Sequence, residues 1–438
     1  ELIPSLDTMI GGIKQDLGFA AQQAQAEPAR DVSAASEASS AEDQQPQKKP
    51  SERAKLNSQF EQRKKVTKKE DRGTLNPQFE QKKQAERTAG RWQSPAMPFT
   101  AIGMRVGDAN GDGKEEILLL QDDAVKAFLK REDRLEHLAT YDLGSRTRAL
   151  NLNLGPAGED GVRPVVVSAL RDKKARSLIL ELVEDDFAVR ADEIKLLLNV
   201  VRTPPEYAPH LVGQKLDAPG IFDNGVSLVE RESGQYILGR TLDLPSAANV
   251  FNFAYLPRGE GYKVIVADST DSLRVYSSDG ELQSSTERAF AGSEVRMQKK
   301  TSLPGLEDSR EDPPSYYFLP TRLIPCNLDS DGEFELLVNR SISSMSRFFA
   351  NQRSYSKGEI HSLYWDGLGL STAWKTRTIK GSVRDYGLGD MDNDNTLELY
   401  VCITTQSGML SWDGEKTVVL AYPLDLPQET SRQTIFRP

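Results

Sequence analysis

From Trp92 onward the chain is written in short β-rich runs cut by Gly, Asp and Asn, and this texture leaves few folds open. The runs 101–107, 116–120, 125–129 and 138–143 make one group of four, and the same beat restarts near Arg148, His210, Val250, Tyr317 and Val383. Runs of this length bounded by turn residues predict an all-β chain. Repetition every ~40–70 residues predicts a β-propeller of four-stranded blades, because a lone blade cannot bury both of its faces. Six starts predict six blades; the long segment 184–208 keeps seven as the alternative.

One internal match is sharper than the rest. Residues 92–116 align without a gap on 374–398, pairing Trp92 with Trp374, Gly107 with Gly389 and Glu116 with Glu398. Trp374 reads as part of an outer strand, so Trp92 reads as one too, yet no blade precedes it. The expectation is that the strand at Trp92 joins the last blade and closes the ring, which removes both free sheet edges.

The aligned segments carry acidic loops, and a third copy lies between them. The loops hold Asp108, Asn110, Asp112, Lys114 and Glu116; Asn327, Asp329, Asp331, Glu333 and Glu335; and Asp390, Asp392, Asp394, Thr396 and Glu398, at positions 1, 3, 5, 7 and 9. Alternate side chains of a tight loop converge on one point. Calcium takes 6–8 oxygen ligands at roughly 2.3–2.6 Å, and the backbone carbonyl at position 7 can complete such a shell. Carboxylates this close repel unless a cation sits among them. The loops end at position 9 and are flanked by apolar strands, which disfavours a helix–loop–helix site. Two or three bound calcium ions are expected, with the first and third loops the strongest. The loops near 156–161, 217–225 and 257–261 lack the acidic set and should hold no metal.

The region before the strands differs in kind. Leu6, Met9, Ile10, Ile13 and Leu17 space a short helix in 1–25, which reads as the tail of an upstream domain. Residues 26–91 are polar and rich in Ala, Ser, Glu, Gln and Pro, or in charge, and predict a disordered linker. Within it, Leu56 and Phe60 recur as Leu75 and Phe79 at a spacing of 19 residues in a duplicated LNxQFEQ motif. These are either docking anchors or a duplicated spacer. Segment 51–91 carries 12 Lys/Arg against 6 Asp/Glu, whereas the whole chain carries a net charge of −10. An acidic body argues against nucleic acid as its partner. A second partner surface is suggested by Arg347, Phe348, Phe349, Arg353 and Tyr355, since Arg with aromatics is the composition of interface hot spots. Those aromatics can equally pack on their own blade. Residues 423–438 read as a C-terminal tail.

No apolar run is long enough to span a bilayer. The first residue is Glu1, which leaves a targeting segment or lipid anchor to be sought upstream. Cys326 and Cys402 read as buried thiols, or as a disulfide in an oxidising compartment. His137, His210 and His361 lie in separate repeats without metal-ligand spacing. No nucleophile elbow or phosphate loop is present. A binding scaffold is therefore expected rather than an enzyme; the rival is a carbohydrate-active hydrolase or lyase that draws its carboxylates from distant blades.

The acidic loops resemble those of the FG-GAP/VCBS repeat family, including the calcium loops of integrin-type propellers. The motifs Leu211-Val212-Gly213-Gln214, Leu244-Pro245-Ser246-Ala247-Ala248-Asn249 and Trp365-Asp366-Gly367-Leu368 are similar to bacterial envelope members, which often carry an N-terminal TolB- or CsgG-like domain. The resemblance spans roughly 92–422. It implies an extracytoplasmic propeller, in the periplasm, at the outer membrane or on the cell surface, that contacts an envelope protein or glycan.

Overall fold

The computed structural model describes residues 91–218, 221–223, 225–299, 315–343, 353–406, 414–424, 426 and 435–436. The helix expected in 1–25 and residues 26–90 of the expected linker lie outside them.

Six four-stranded antiparallel blades form a β-propeller. The chain enters through β1 (Trp92–Gln93) and then builds blade I from β2 (Gly103–Gly107), β3 (Glu116–Leu120), β4 (Ala124–Arg131) and β5 (Arg134–Asp142). Blade II uses β6 (Thr147–Leu154), β7 (Val165–Arg171), the short β8 (Lys174–Ala175), β9 (Ser177–Val183) and β10 (Asp186–Ile194). Blade III uses β11 (Leu197–Thr203) and β12 (Ala208–Gln214), an added hairpin of β13 (Leu216–Ala218) and β14 (Ile221–Phe222), then β15 (Ser227–Glu232) and β16 (Gln235–Thr241). Blade IV is β17 (Phe253–Arg258), β18 (Gly261–Ala267), β19 (Leu273–Tyr276) and β20 (Leu282–Ser285). A separate pair, β21 (Arg296–Lys299) and β22 (Ser315–Phe318), precedes blade V, which is β23 (Ile324–Cys326), β24 (Glu335–Ile342), β25 (Lys357–Trp365), β26 (Leu370–Lys375) and the short β27 (Ile379–Lys380). Blade VI is β28 (Ser382–Gly389), β29 (Glu398–Gln406) and β30 (Glu415–Pro423), and its fourth strand is β1.

The residue pattern across a blade explains the layering. The second strand β3 is Glu-Ile-Leu-Leu-Leu and is buried throughout, because neighbouring blades cover both of its faces. The outer strand β5, Arg-Leu-Glu-His-Leu-Ala-Thr-Tyr-Asp, keeps only Ala139 fully buried. Buried apolar side chains among the described residues fall into six clusters, each centred on one of the six interfaces between blades. The one between blades VI and I joins Met104, Ile117 and Leu119 to Tyr400, Cys402 and Val419, with Trp92 and Phe99 packed against it.

The N-terminal strand closes the ring as the internal match requires. Trp92 pairs with Ala421 and Gln93 with Leu420. Ser94 N donates to Val419 O at 2.9 Å, and Met97 and Thr417 exchange backbone hydrogen bonds at 2.8 and 3.0 Å. The Thr417 hydroxyl donates to Phe99 O at 2.6 Å and accepts from Ala101 N at 2.8 Å.

Several sequence expectations are corrected. Blade III starts at Leu197, not near His210, which lies in its second strand. Segment 184–208 holds the outer strand of blade II and the inner strand of blade III, and no seventh blade. Tyr317 belongs to the accessory β22, and blade V begins with the three-residue β23. Cys326 and Cys402 are both free and buried, in different interface clusters. The C-terminal tail returns to the body: Ile435 is buried in the cluster between blades V and VI, and its carbonyl accepts from Asn327 N at 2.8 Å.

Candidate metal centres

All three acidic loops join the end of an inner strand to the start of the second strand, so they emerge at the same end of their blades. They share a backbone. Positions 4 and 6 are left-handed in each: Gly111 and Gly113, Ser330 and Gly332, Asn393 and Asn395, with φ between 57° and 84°. Gly and Asn tolerate that region at little cost, which is why they recur at position 6. The position-7 N–H donates to the position-5 carboxylate every time: Lys114 to Asp112 at 2.8 Å, Glu333 to Asp331 at 2.8 Å and Thr396 to Asp394 at 2.7 Å.

The position-9 glutamates are the anchors. Glu116, Glu335 and Glu398 begin the second strands and are 1%, 4% and 3% exposed. Each accepts from the N–H at position 2: Ala109 to Glu116 at 2.9 Å, Met391 to Glu398 at 2.7 Å, and Leu328 to Glu335. Burial pushes the Glu116 carboxyl up to about 7, with Asp112 and Asp108 adding to it. Burial, then the aspartates of their own loops, carries Glu335 and Glu398 up to about 8.

The loops differ in how far their acids converge. Among the described residues, two groups bring three or more carboxylates within 4.8 Å of one another: Asp390, Asp392, Asp394 and Glu398, and Asp329, Asp331 and Glu335. The first loop is not one of them. Its position 3 is the amide Asn110, which accepts from Asp112 N at 2.9 Å; the position-1 aspartate accepts two backbone N–H bonds in the first and third loops alike. In the convergence of its carboxylates alone, the first loop falls behind the other two.

The two converging loops also hold buried oxygens without a hydrogen-bond partner: Asn327 Oδ1, Glu335 Oε2 and Asp392 Oδ1. Leaving a buried oxygen unsatisfied costs about 1–3 kcal/mol, so a ligand there is physically favoured. An oxygen-only donor set fits a hard cation such as calcium. Lys130 Nζ lies 3.0 Å from Asp392 Oδ2; burial pushes the Asp392 carboxyl up, but the Lys130 hydrogen bond and charge together with further hydrogen bonds hold it below its ordinary value.

The first and third loops are tied to each other across the ring closure. Glu115 N donates to Asn393 Oδ1 at 2.6 Å, and Asp390 N donates to Glu115 Oε2 at 2.8 Å. Lys130 comes from blade I and reaches Asp392 in blade VI, and it also lies over the Trp92 ring at 5.3 Å. No sequence signal marked Glu115 or Lys130.

The remaining candidates are placed as follows. Arg353 donates to Asp271 Oδ1 at 2.7 Å and stacks over Phe318 at 4.3 Å. Tyr355 is half-buried, and its N–H donates to Glu294 Oε1 at 3.0 Å. The Arg353 side chain thus engages this chain's own blade IV and accessory strand β22, and Tyr355 is tied through its backbone to Glu294, just before β21. Arg347, Phe348 and Phe349, and the anchors Leu56, Phe60, Leu75 and Phe79, lie outside the described residues. The three histidines do not meet: His137 bonds Thr140, His210 bonds Thr203 and His361 bonds Glu359.

No protein-family model matches the chain, and no curated protein matches it. Among solved structures, the chain is similar to BBS1N in complex with ARL6DN, soaked with mercury, at 13% identity and a TM-score of 0.37, over 77% of this chain and 96% of that one. The lead-soaked form of the same complex gives 12% identity and a TM-score of 0.39, over 78% and 97%. Chaetomium thermophilum Raptor gives 10% identity and a TM-score of 0.37, over 77% of this chain and 30% of that one.

Proposed function

We propose that the chain is a calcium-stabilised propeller of the FG-GAP/VCBS kind that holds a recognition surface for a protein or glycan partner in the bacterial cell envelope. One observation carries the metal part. The loops where carboxylates converge also bury Asn327 Oδ1, Glu335 Oε2 and Asp392 Oδ1 without partners. A cation supplies what those oxygens lack, and it offsets the repulsion among the acids. One ion would be held by Asn327, Asp329, Asp331 and Glu335 with the Glu333 carbonyl, and another by Asp390, Asp392, Asp394 and Glu398 with the Thr396 carbonyl. Magnesium, which demands near-ideal octahedral geometry and keeps its waters, suits such sets less well.

The scaffold part follows from the closed ring. Six blades locked by the chain's own first strand hold their loops at fixed spacing, which lowers the ordering cost of binding. Placement in the envelope rests on the sequence resemblance, and we assign no catalytic step. The test is affinity capture from a bacterial envelope extract, with calcium and with EDTA, using the wild type and a folded D331N/D394N variant. A partner retained by the wild type in calcium and lost by the variant supports the reading. Equal recovery in all four conditions refutes it.

A further inference from the structure

The inner strands of the six blades surround a cavity of about 270 Å³ on the ring axis. Glycines keep side chains of their own strands out of it. A Cβ on Gly387, which lines the cavity, would fall 2.2 Å from the Tyr400 hydroxyl, and one on Gly107 would fall 2.7 Å from Leu154 Cδ1 and 3.0 Å from Arg163 Nη1. Arg105 leaves β2 two residues before Gly107, on the same face of the strand.

The charge in this cavity is unbalanced. Arg105, Arg163 and Arg322 line it, and Asp385 is the one carboxylate among its lining residues. Asp385 is already shared. Arg322 grips it with two bonds of 2.6 Å, Met104 N donates to it at 2.8 Å, and Arg105 stands 3.6 Å away. Arg105 and Arg322 also converge on one amide oxygen, Asn153 Oδ1, at 2.8 and 3.1 Å. Arg163 spends its Nε on Gly155 O at 3.2 Å; Glu115 and Asp108 act on it only through space, and burial lowers its proton affinity. The other two lining arginines are engaged elsewhere: Arg384 with Glu294 and Glu415, and Arg202 with the Tyr207 carbonyl and the Phe436 ring. Among the lining residues, three guanidinium groups thus face one carboxylate, with Glu115 and Asp108 acting on Arg163 from outside the lining and Arg105 Nη1 also donating to Met104 O at 2.9 Å. Buried charge without a counter-charge is costly, and the planar fork of Arg matches carboxylate and phosphate oxygens in pairs.

We propose that the central channel is a receptor for a small doubly charged oxyanion of the phosphate–dicarboxylate class, with Arg105 and Arg163 contacting it and the Arg322–Asp385 pair positioning Arg105. A space of this size suits a small metabolite. Arg163 sits against the first acidic loop, its N–H donating to Ala109 O at 3.3 Å, whereas the second and third loops, where the carboxylates converge, are not among the lining residues.

The full chain is titrated calorimetrically with inorganic phosphate and, separately, with malonate, at an ionic strength held constant with sodium chloride. Saturable binding at one site per chain is expected for at least one of the two, and the stronger of them identifies the anion chemistry. R105Q and R163Q should each weaken binding by about tenfold or more, the scale of one lost charge-assisted pair. R163K, which keeps the charge without the fork, should recover part of the loss. Arg163 makes no direct ion pair among the described residues, and Glu115 and Asp108, which act on it through space, are only half-buried, so R163Q should remain folded by circular dichroism. Heats no larger than those of chloride for both probes would overturn the proposal. So would R105Q and R163Q variants that bind like the wild type.

Discussion

A chain beginning at Thr100 lacks the strand that shuts the ring, whereas one beginning at Arg91 retains it. The difference between them can be worked from the seam. Beyond the β1–β30 ladder at Trp92 and Gln93, five hydrogen bonds are lost: Ser94 N to Val419 O, Val419 N to Ser94 Oγ, both bonds between Met97 and Thr417, and Thr417 Oγ1 to Phe99 O. At about 0.5–1.5 kcal/mol net each, they contribute roughly 3–7 kcal/mol. Trp92, Met97 and Phe99 also leave the cluster between blades VI and I, and Lys130 and Lys126 lose the rings beneath them. That brings the loss to roughly 5–10 kcal/mol, comparable with the whole stability of an ordinary domain. Blade VI would also expose β30 as a bare edge, inviting self-association. Urea and thermal unfolding of the two proteins at equal calcium measure the difference. The shorter one should melt roughly 10 °C or more lower, or fail to fold. Coincident midpoints would refute the idea that this strand closes the ring energetically as well as geometrically.

Three further outcomes follow from the same contacts. T417V leaves the buried Ala101 N–H and Phe99 carbonyl without their shared hydroxyl; it should cost about 1–3 kcal/mol in urea unfolding, and a cost near zero would count against the seam. In EDTA, Glu116 at about 7 and Glu335 and Glu398 at about 8 hold protons more tightly folded than unfolded, where the ordinary value is 4.5. Their contribution is therefore full below pH 4.5 and fades as pH rises toward 8, and unfolding at pH 5 and pH 8 should show that fall in EDTA and its suppression by calcium; a metal-free stability flat across the window would contradict it. D385N strands the buried Arg322 guanidinium and should destabilise by about 3–5 kcal/mol, whereas a chain that loses less than 1 kcal/mol would show the pair to be dispensable.

The parts legible in the sequence were those written locally or repeated. Oxygen ligands at alternate positions and a Gly or Asn at position 6 mark the loops because the turn itself demands them, and the gapless match at Trp92 marks the closure because two strands occupy one role. What failed to show has physical reasons too. The inner strand of blade III follows Glu193-Ile194-Lys195-Leu196 almost directly, so its start is masked by the preceding outer strand. The inner strand of blade V spans only Ile324–Cys326, while the aromatic run Ser315–Phe318 outside the blade looks more strand-like. The second loop is the weakest by composition, yet Asn327 Oδ1 and Glu335 Oε2 are buried without a hydrogen-bond partner. Contacts between distant blades, such as Arg322 with Asp385 or Glu115 with Asn393, have no spacing rule that a single sequence could reveal.

Bound calcium counted directly is the sharpest test of the metal centres. The purified chain is dialysed against calcium, freed of excess ion, and analysed by inductively coupled plasma mass spectrometry alongside D331N and D394N, each variant confirmed folded. Calcium binding at the second and third loops requires two ions per wild-type chain and one per chain in each variant. A folded wild type that carries no calcium, or variants that retain the wild-type count, would contradict it.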